Sequence, residues 1–243
     1  MKAVLIAGGS GGIGSAVAER AAQRGWSVLV GYGTGKSRAE AVAHRIQKEG
    51  GQAEILWLPL QDTRAVTHVI EEVASRRSRL EAVVLAASPP PVLASFLKAN
   101  DEEFRSQWEI NVLGAHALLA GCWKRFFSRP GGGHIVAVLS ATMGPPPRRH
   151  MMSYVTAKWG LQAVLECAVE ELGPAGLRVS GFSPDYTDTP MMQNLHPHIL
   201  NAARAKRAFL SPQFVASRLV DRLDQPPSEM TLQIESLEGP SFS

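Results

Sequence analysis

The stretch that decides the fold is Gly8-Gly9-Ser10-Gly11-Gly12-Ile13-Gly14, near the start of the 243-residue chain. It follows the apolar run Ala3-Val4-Leu5-Ile6-Ala7 and precedes a stretch of helical period, Ser15 to Arg24. Glycines let the backbone turn tightly and approach a phosphate, whose charge is met by free amide groups and the positive end of the helix. Strand, glycines and helix therefore predict a phosphate-binding βαβ unit, although a glycine-rich turn without a ligand has the same pattern.

Short apolar runs alternate along the whole chain with longer stretches of helical period, including two long ones at 101–127 and 153–172. This alternation predicts one α/β domain over 1–243, a Rossmann-type, doubly wound parallel sheet with helices on both faces. Residues 185–211 lack a clear period, and we interpret them as a segment that covers the substrate. Seven strands are predicted, at 3–7, 27–31, 54–58, 82–87, 134–139, 177–182 and 231–235.

Composition excludes several other classes of protein. The net charge of +3 arises from 25 basic and 22 acidic residues. They form no blocks of like charge, so we expect no nucleic-acid or membrane partner. The two cysteines, Cys122 and Cys167, are predicted to be buried thiols in a reducing cytoplasm. The histidines show no metal-ligand spacing beyond His196-Pro197-His198, which we interpret as loop composition, and we predict no metal site.

Further motifs follow the glycine-rich stretch in order. Tyr154 and Lys158 lie four residues apart at the start of a helix, and Ser140 ends the strand 134–139. Asn111 lies in the helix 101–127, and Pro184-Asp-Tyr-Thr-Asp-Thr189 follows the sixth strand. With the spacing Gly8-x3-Gly12-x-Gly14, these motifs resemble the short-chain dehydrogenase/reductase family over residues 4 to 191. The resemblance implies an NAD(P)-dependent oxidoreductase that acts on a carbonyl or alcohol and assembles as a tetramer or dimer.

The resemblance also implies roles for these side chains. Tyr154 would be the acid in reduction and the base in oxidation. Lys158, on the same helix face, is expected to lower the pKa of the phenol and to hold the nicotinamide ribose. Ser140 would orient the substrate oxygen, and Asn111 would anchor a water chain that resupplies protons to Lys158.

The loop after the second strand bears on the choice of cofactor. Tyr32 occupies the position where an NAD enzyme usually has an acid. Lys36 and Arg38, with Thr34 and Ser37, are therefore predicted to meet a 2′-phosphate and to favour NADP(H) over NAD(H), although they fit ordinary solvated charges as well. Further candidates for cofactor contact are Gly8, Ser10, Gly11, Gly12, Ile13, Gly14, Leu60, Ala86, Ala87, Tyr154, Lys158, Pro184, Thr187 and Thr189.

Four features depart from the family pattern. The usual Asn-Asn-Ala-Gly segment is Leu85-Ala86-Ala87-Ser88, the acid expected to contact the adenine aligns with Pro59 near Asp62, and the Gly after Pro184 is Asp185. The glycine-rich end of the family's last strand is shortened to Leu237-Glu238-Gly239. These changes leave the Tyr154 and Lys158 motif intact but bear on cofactor affinity.

Two functions follow as hypotheses. The first is a reductase of ketones or aldehydes, including β-ketoacyl and biosynthetic tailoring reductases. The second is a non-catalytic dinucleotide-binding regulator or scaffold. A substrate with hydrophobic bulk is predicted from the apolar residues near the expected pocket, Met143, Pro145 to Pro147, Met151, Met152, Met191 and Met192.

Overall fold

Seven parallel strands form one sheet in a computed structural model that describes residues 2–195 and 197–241. Their order is β3-β2-β1-β4-β5-β6-β7. Successive strands are added towards one edge of the sheet from β1 to β3 and towards the other edge from β4 to β7, so the strand order switches between β1 and β4. This is the doubly wound arrangement, and the predicted fold class is confirmed. The strands are β1 (Ala3–Ala7), β2 (Ser27–Tyr32), β3 (Gln52–Trp57), β4 (Ala82–Leu85), β5 (Gly133–Val138), β6 (Leu177–Pro184) and β7 (Gln233–Leu237).

Eight α-helices cover the two faces of the sheet in the described residues. Helices α1, α2 and α8 pack on one face, and α3, α5 and α6 pack on the other, so each face has its own hydrophobic core. The helices are α1 (Gly12–Gln23), α2 (Lys36–Lys48), α3 (Thr63–Arg76), α4 (Asp101–Trp108), α5 (Ala115–Cys122), α6 (Met152–Leu172), α7 (Pro197–Arg204) and α8 (Pro212–Asp224).

The central strands are predominantly apolar because helices cover both of their faces. Every residue of β1, β2, β4 and β5 is buried. The edge strand β3 instead alternates between buried and exposed positions, and Trp57 at its end is exposed. The difference explains why the uninterrupted apolar runs locate the central strands so well.

The predicted helix 101–127 is continuous but contains two π-helical segments, Glu109–Gly114 and Trp123–Phe127. A π-helical turn contains more residues than an α-helical turn, so it shifts the phase of an apolar stripe. In the sequence, apolar residues recur at steps of three or four in this helix, which predicts one stripe that faces the core: Trp108, Val112, Ala115, Leu119, Cys122 and Phe126. Trp108 lies just before the first π-helical segment and is instead 39% exposed. The prediction for Cys122 agrees with its burial, whereas Cys167 lies exposed on the outer side of α6, and that part of the prediction is wrong.

The carboxyl ends of β1, β4, β5 and β6 lie together at one edge of the sheet, because all seven strands run in the same direction. In sheets of this kind, ligands bind beyond these ends, at the point where the strand order reverses. The glycine-rich stretch and Ser140 follow these strand ends, and Pro184 is the last residue of β6. None of the described helices is long and apolar enough to span a membrane.

Candidate active site

The glycine-rich stretch forms a tight turn between β1 and α1. Gly8 has a φ of +83°, and the Gly9 amide donates to the Ile6 and Gly31 carbonyls at 3.1 and 2.8 Å. A β-carbon on Gly14 would overlap the Gly8 carbonyl oxygen, and a β-carbon on Gly8 would overlap the backbone of Ala87. Glycine is therefore required at both positions for this close packing.

Helix α1 begins at this turn with Gly11 as its N-cap, and no side chain caps it. The first amide groups of a helix lack partners within the helix and can bind a phosphate. A β-carbon on Gly12 would lie 2.6 Å from the Thr189 side chain, so the segment after β6 lies directly over the helix start. These features fit a dinucleotide whose pyrophosphate would contact Gly11, Gly12 and Ile13.

The other candidate cofactor residues divide into two groups. Several line one cavity together with Tyr154 and Lys158, namely Ile13, Ala86, Pro184, Thr187 and Thr189. Leu60 is instead buried, with its carbonyl oxygen against Gly114. Asp62 accepts hydrogen bonds from the Arg64 and Ala65 amides at 3.0 Å and caps α3. Its carboxylate is thus already used to start a helix.

The loop after β2 brings one basic residue to the glycine-rich turn. Arg38 Nε donates to the Ser10 carbonyl at 3.4 Å, and the guanidinium lies over Gly35. Lys36 Nζ is instead 3.9 Å from the Glu40 carboxylate on its own helix. Tyr32 is buried, whereas the side chains of Thr34 and Ser37 are exposed. Of the two basic residues that were predicted to meet the 2′-phosphate, Arg38 contacts the glycine-rich turn and Lys36 lies near Glu40.

Tyr154 and Lys158 lie one turn apart near the start of α6 and are both buried, at 8% and 2% exposure. Lys158 Nζ donates a hydrogen bond to the Val138 carbonyl at 2.9 Å and lies 5.7 Å from the centre of the Tyr154 ring. Ser140 follows the end of β5, and its Oγ lies 2.9 Å from the Thr142 hydroxyl. All three predicted residues border the same cavity.

Burial controls the acid–base properties of this pair. Loss of solvent raises the pKa of Tyr154, although the Ser140 hydroxyl acts in the opposite direction. Loss of solvent also lowers the pKa of Lys158 to about 7. The net shift of the Tyr154 pKa is upward because burial outweighs the Ser140 hydrogen bond. The expected lowering of this pKa by Lys158 stays a prediction.

Asn111 is buried inside the first π-helical segment. Its Nδ2 donates to the Gln107 carbonyl and to Gln107 Oε1, at 3.0 and 3.1 Å. Its Oδ1 is buried and accepts no hydrogen bond from any described residue. An unpaired buried acceptor is costly, and π-helical segments often occur at functional sites. Asn111 thus has an acceptor available for a water or another donor.

The cavity has a volume of about 650 Å³ and a largely apolar wall. Met151, Met191 and Met192 line it as predicted, but Met143, Met152 and Pro145 to Pro147 do not. Met143 is buried in the core between the sheet and α6, and Pro145 to Pro147 are exposed. The residues from 185–211 that line the cavity are Asp185, Tyr186, Thr187, Thr189, Met191, Met192, Leu195, His198, Ile199, Ala202, Ala203, Lys206 and Arg207.

Sequence analysis did not predict one group of polar residues in this cavity. The Asp185 carboxylate is within 3.4 Å of Arg148 Nη2 and 2.6 Å of Arg207 Nη1. The available signal was Asp185 itself, which replaces a glycine of the family pattern. Its two partners are 37 and 22 positions away in the chain, so their pairing became visible only in the structure.

Within residues 2–195 and 197–241, no three potential His, Cys, Asp or Glu ligands lie close enough together to hold a metal ion. His198 lies at the start of α7 and lines the cavity. The predicted loop pair also includes His196, which lies outside the described residues.

Comparison with known proteins identifies the family of this chain. A family model described as short chain dehydrogenase matches residues 2–199. Cis-4-hydroxycyclohexanecarboxylate dehydrogenase of Sinomonas cyclohexanicum is 28% identical over 206 residues, which cover 85% of this chain and 81% of that protein. The 3-oxoacyl-acyl-carrier-protein reductase FabG of Staphylococcus aureus is 25% identical over 194 residues, which cover 80% of this chain and 78% of that protein.

A solved structure is similar over nearly the whole chain. The short chain dehydrogenase from Burkholderia cenocepacia J2315 in complex with NADP superposes with a TM-score of 0.86 at 24% identity. The superposition covers 98% of this chain and 96% of that one, and it supports the assigned fold. With the family match over most of the chain, the predicted resemblance is confirmed. The chain belongs to the short chain dehydrogenase family and is an NAD(P)-dependent dehydrogenase/reductase.

Proposed function

We propose that the protein is an NADP(H)-dependent reductase of ketones or aldehydes, which also oxidises the corresponding alcohols, with Tyr154 as general acid and base. The observation that carries this proposal is the meeting of Ser140, Tyr154 and Lys158 at the wall of one cavity. The bound nicotinamide would supply or accept the hydride.

The side chains of this chain then handle the substrate oxygen and its proton. During reduction the carbonyl oxygen gains negative charge, and the Tyr154 hydroxyl donates the proton that neutralises it. The Ser140 hydroxyl donates a hydrogen bond to the same oxygen and orients the carbonyl. Lys158, bound to the Val138 carbonyl, holds its amino group beneath Tyr154 and contacts the nicotinamide ribose. The free acceptor of Asn111 holds a water that returns protons to Lys158.

The preference for NADP(H) rests on Arg38. A guanidinium pairs strongly with a phosphate, and no carboxylate occurs between Tyr32 and Lys36 to repel one. The contact of Arg38 with the Ser10 carbonyl keeps it beside the glycine-rich turn. Lys36, whose ammonium lies near Glu40, has the smaller part in this preference.

The substrate has hydrophobic bulk and lies under the segment 185–211, which supplies much of the cavity wall. One of the two relatives is named for an alcohol on a cyclohexane ring, and the other is named for a 3-oxoacyl group. The ring and the acyl chain are both apolar. Suitable substrates of this kind include β-ketoacyl compounds and ketones that are reduced in the tailoring steps of a biosynthesis.

We also propose a homo-oligomer, a tetramer or a dimer. Large apolar side chains are exposed on the outer side of the long helices, where Trp108, Leu113 and Trp159 are 39%, 51% and 47% exposed. Covering them against a second copy would remove apolar surface from water. Light scattering at micromolar concentration tests this, since a monomer mass contradicts it. A cytoplasmic location agrees with the two free cysteines.

The main proposal is tested by incubating the protein with NADPH and a panel of ketones and aldehydes. The absorbance of the reduced nicotinamide reports whether a compound is reduced. We expect turnover with at least one apolar ketone and none with Tyr154→Phe above background. The competing hypothesis, a non-catalytic regulator, predicts that NADPH binds but is not oxidised by any compound. Binding without turnover over a broad panel would therefore favour the regulator.

A further inference from the structure

Four basic side chains outside the catalytic group line the same cavity as Tyr154. Arg148 and Arg149 belong to the loop between β5 and α6, and Lys206 and Arg207 follow α7. Asp185 is the only carboxylate among the described residues that line the cavity. The two loops therefore give one cavity an excess of positive charge.

Asp185 positions two of these groups without using all their donors. Its side chain is 6% exposed and accepts from Arg148 Nη2 and Arg207 Nη1, at 3.4 and 2.6 Å. Arg207 Nη1 also lies 3.5 Å from the exposed Glu238 carboxylate. A guanidinium has five N–H donors, so one buried carboxylate leaves most of them available. The two arginine side chains are 32% and 33% exposed and remain accessible to a ligand.

Aromatic stacking fixes the orientation of one arginine. The Arg148 guanidinium lies 4.3 Å from the centre of the Tyr186 ring, which stacks on Phe209 with centres 4.9 Å apart. A stacked guanidinium keeps its N–H edge free for hydrogen bonds in the plane of the group. Arg148 is therefore held by Asp185 and Tyr186 before any ligand binds.

The remaining two basic groups have no compensating acid. Arg149 and Lys206 are exposed, and no carboxylate in residues 2–195 and 197–241 forms an ion pair with either. Much of the remaining cavity wall is apolar. It includes Leu93, Met151, Met191, Met192, Leu195 and Ile199. The cavity thus combines apolar lining residues with a cluster of basic side chains. This combination suits a ligand that has both an apolar part and an anionic group.

We propose that the substrate carries an anionic oxygen group, a carboxylate or a phosphate monoester, on an apolar body. Arg148 and Arg207, positioned by Asp185, bind this group while the carbonyl reaches Tyr154. Guanidinium groups suit either anion because they pair with its oxygens in a bidentate way. A small anion is favoured over a macromolecule because the cluster lines a concave cavity. The inference rests on the proposed reductase function and adds the charge of its substrate.

Three ketones of matched shape test the inference: 4-acetylbenzoate, its methyl ester and 4-acetylphenyl phosphate, each reduced with NADPH. We expect kcat/KM for at least one anion to exceed that of the ester by about tenfold or more, as a charge-assisted contact implies. Added salt should lower the advantage of the anion, because this contact is partly exposed to solvent. The anion with the larger advantage identifies the group that the site prefers.

Variants locate the effect on the protein. Arg148→Ala and Arg207→Ala are expected to reduce the ratio of anion to ester kcat/KM by about tenfold. Arg76→Ala is the matched control, because Arg76 pairs with Glu72 at the far end of α3, at the opposite edge of the sheet. Lys206→Ala, at an exposed position, should lower the same ratio to a smaller extent. Its exposure keeps it informative if an Arg148 or Arg207 variant fails to fold.

Equal kcat/KM for anions and ester, or equal losses for both in the arginine variants, would overturn the inference and leave the reductase proposal intact. Absence of turnover with all three ketones would contradict the reductase proposal instead. The anion site is then tested without turnover, by the rise in Tm that each compound produces in the presence of NADPH. A larger rise with either anion than with the ester, lost in Arg148→Ala, supports the site, and equal rises with all three compounds exclude it.

Discussion

Lys158 on α6 is bound through its side-chain nitrogen to the Val138 carbonyl at the end of β5, at 2.9 Å. This contact connects the catalytic helix to the strand that precedes Ser140. It also explains how a lysine that is almost fully buried keeps a hydrogen-bond partner.

The low pKa of Lys158 has a consequence for stability. Burial lowers this pKa from 10.5 to about 7 in the folded chain, so between these values the unfolded chain binds more protons. The free energy of unfolding should therefore increase as the pH rises from about 7 towards 10.5. Below pH 7 the buried Lys158 is protonated, and the whole cost of burying its charge reduces stability. In chemical denaturation, the free energy of unfolding should increase over this pH range by less in Lys158→Met than in the wild type. We expect the difference to exceed about 1 kcal/mol. Parallel pH curves for both proteins would contradict the prediction.

Replacement of Tyr154 by Phe removes the proton donor and keeps the ring. We expect kcat to fall by at least about a hundredfold, since general acid catalysis contributes this much or more. Cofactor dissociation constants should stay nearly unchanged, because the phenol contacts the substrate oxygen. Steady-state kinetics and NADPH titration check the two parts. Turnover within about threefold of the wild type would mean that another group donates the proton.

The raised pKa of Tyr154 predicts opposite pH profiles for the two directions of the reaction. Reduction requires the protonated phenol, which a raised pKa preserves into the alkaline range. Oxidation requires the phenolate, so its rate should increase as the pH rises above neutral. Measurement of kcat/KM against pH in both directions tests this. An oxidation rate that is already maximal at neutral pH would show that Tyr154 ionises more readily than its burial suggests.

The contacts of Arg38 and Lys36 predict different effects on cofactor choice. Arg38→Ala should weaken NADPH binding by about tenfold or more and leave NADH binding nearly unchanged, because it removes a charge-assisted contact to the 2′-phosphate. Lys36→Ala should have a smaller effect, since its ammonium lies near Glu40. Dissociation constants at low salt measure both. If wild-type NADPH binds no more tightly than NADH, these residues do not bind the phosphate.

Gly14 in the glycine-rich turn and Gly33 in the loop after β2 offer a matched pair of substitutions. A β-carbon on Gly14 would overlap the Gly8 carbonyl oxygen, whereas a β-carbon on Gly33 would meet no atom within 4 Å. We expect Gly14→Ala to lose about 1–3 kcal/mol of stability, because the backbone must shift to relieve the overlap. Gly33→Ala should change stability by less than about 0.5 kcal/mol. Similar Tm values for the two variants would show that the turn adjusts freely.

Sequence patterns predicted the sheet well because the central strands are buried on both faces and are therefore predominantly apolar. They failed where structure depends on distant residues. The stripe that included Trp108 could not reveal the π-helical segment that follows it, and an even apolar pattern placed the exposed Cys167 inside. The Tyr154 and Lys158 motif located the candidate catalytic pair at the cavity wall, but the direction of the pKa shift of Tyr154 depends on burial by the surrounding elements.

Asp185 connects two separate stretches of the cavity wall. Arg148 belongs to the loop between β5 and α6, and Arg207 follows α7. A single buried carboxylate thus acts as an electrostatic crosslink between two parts of the chain that are distant in sequence, at a position where the family pattern has a glycine.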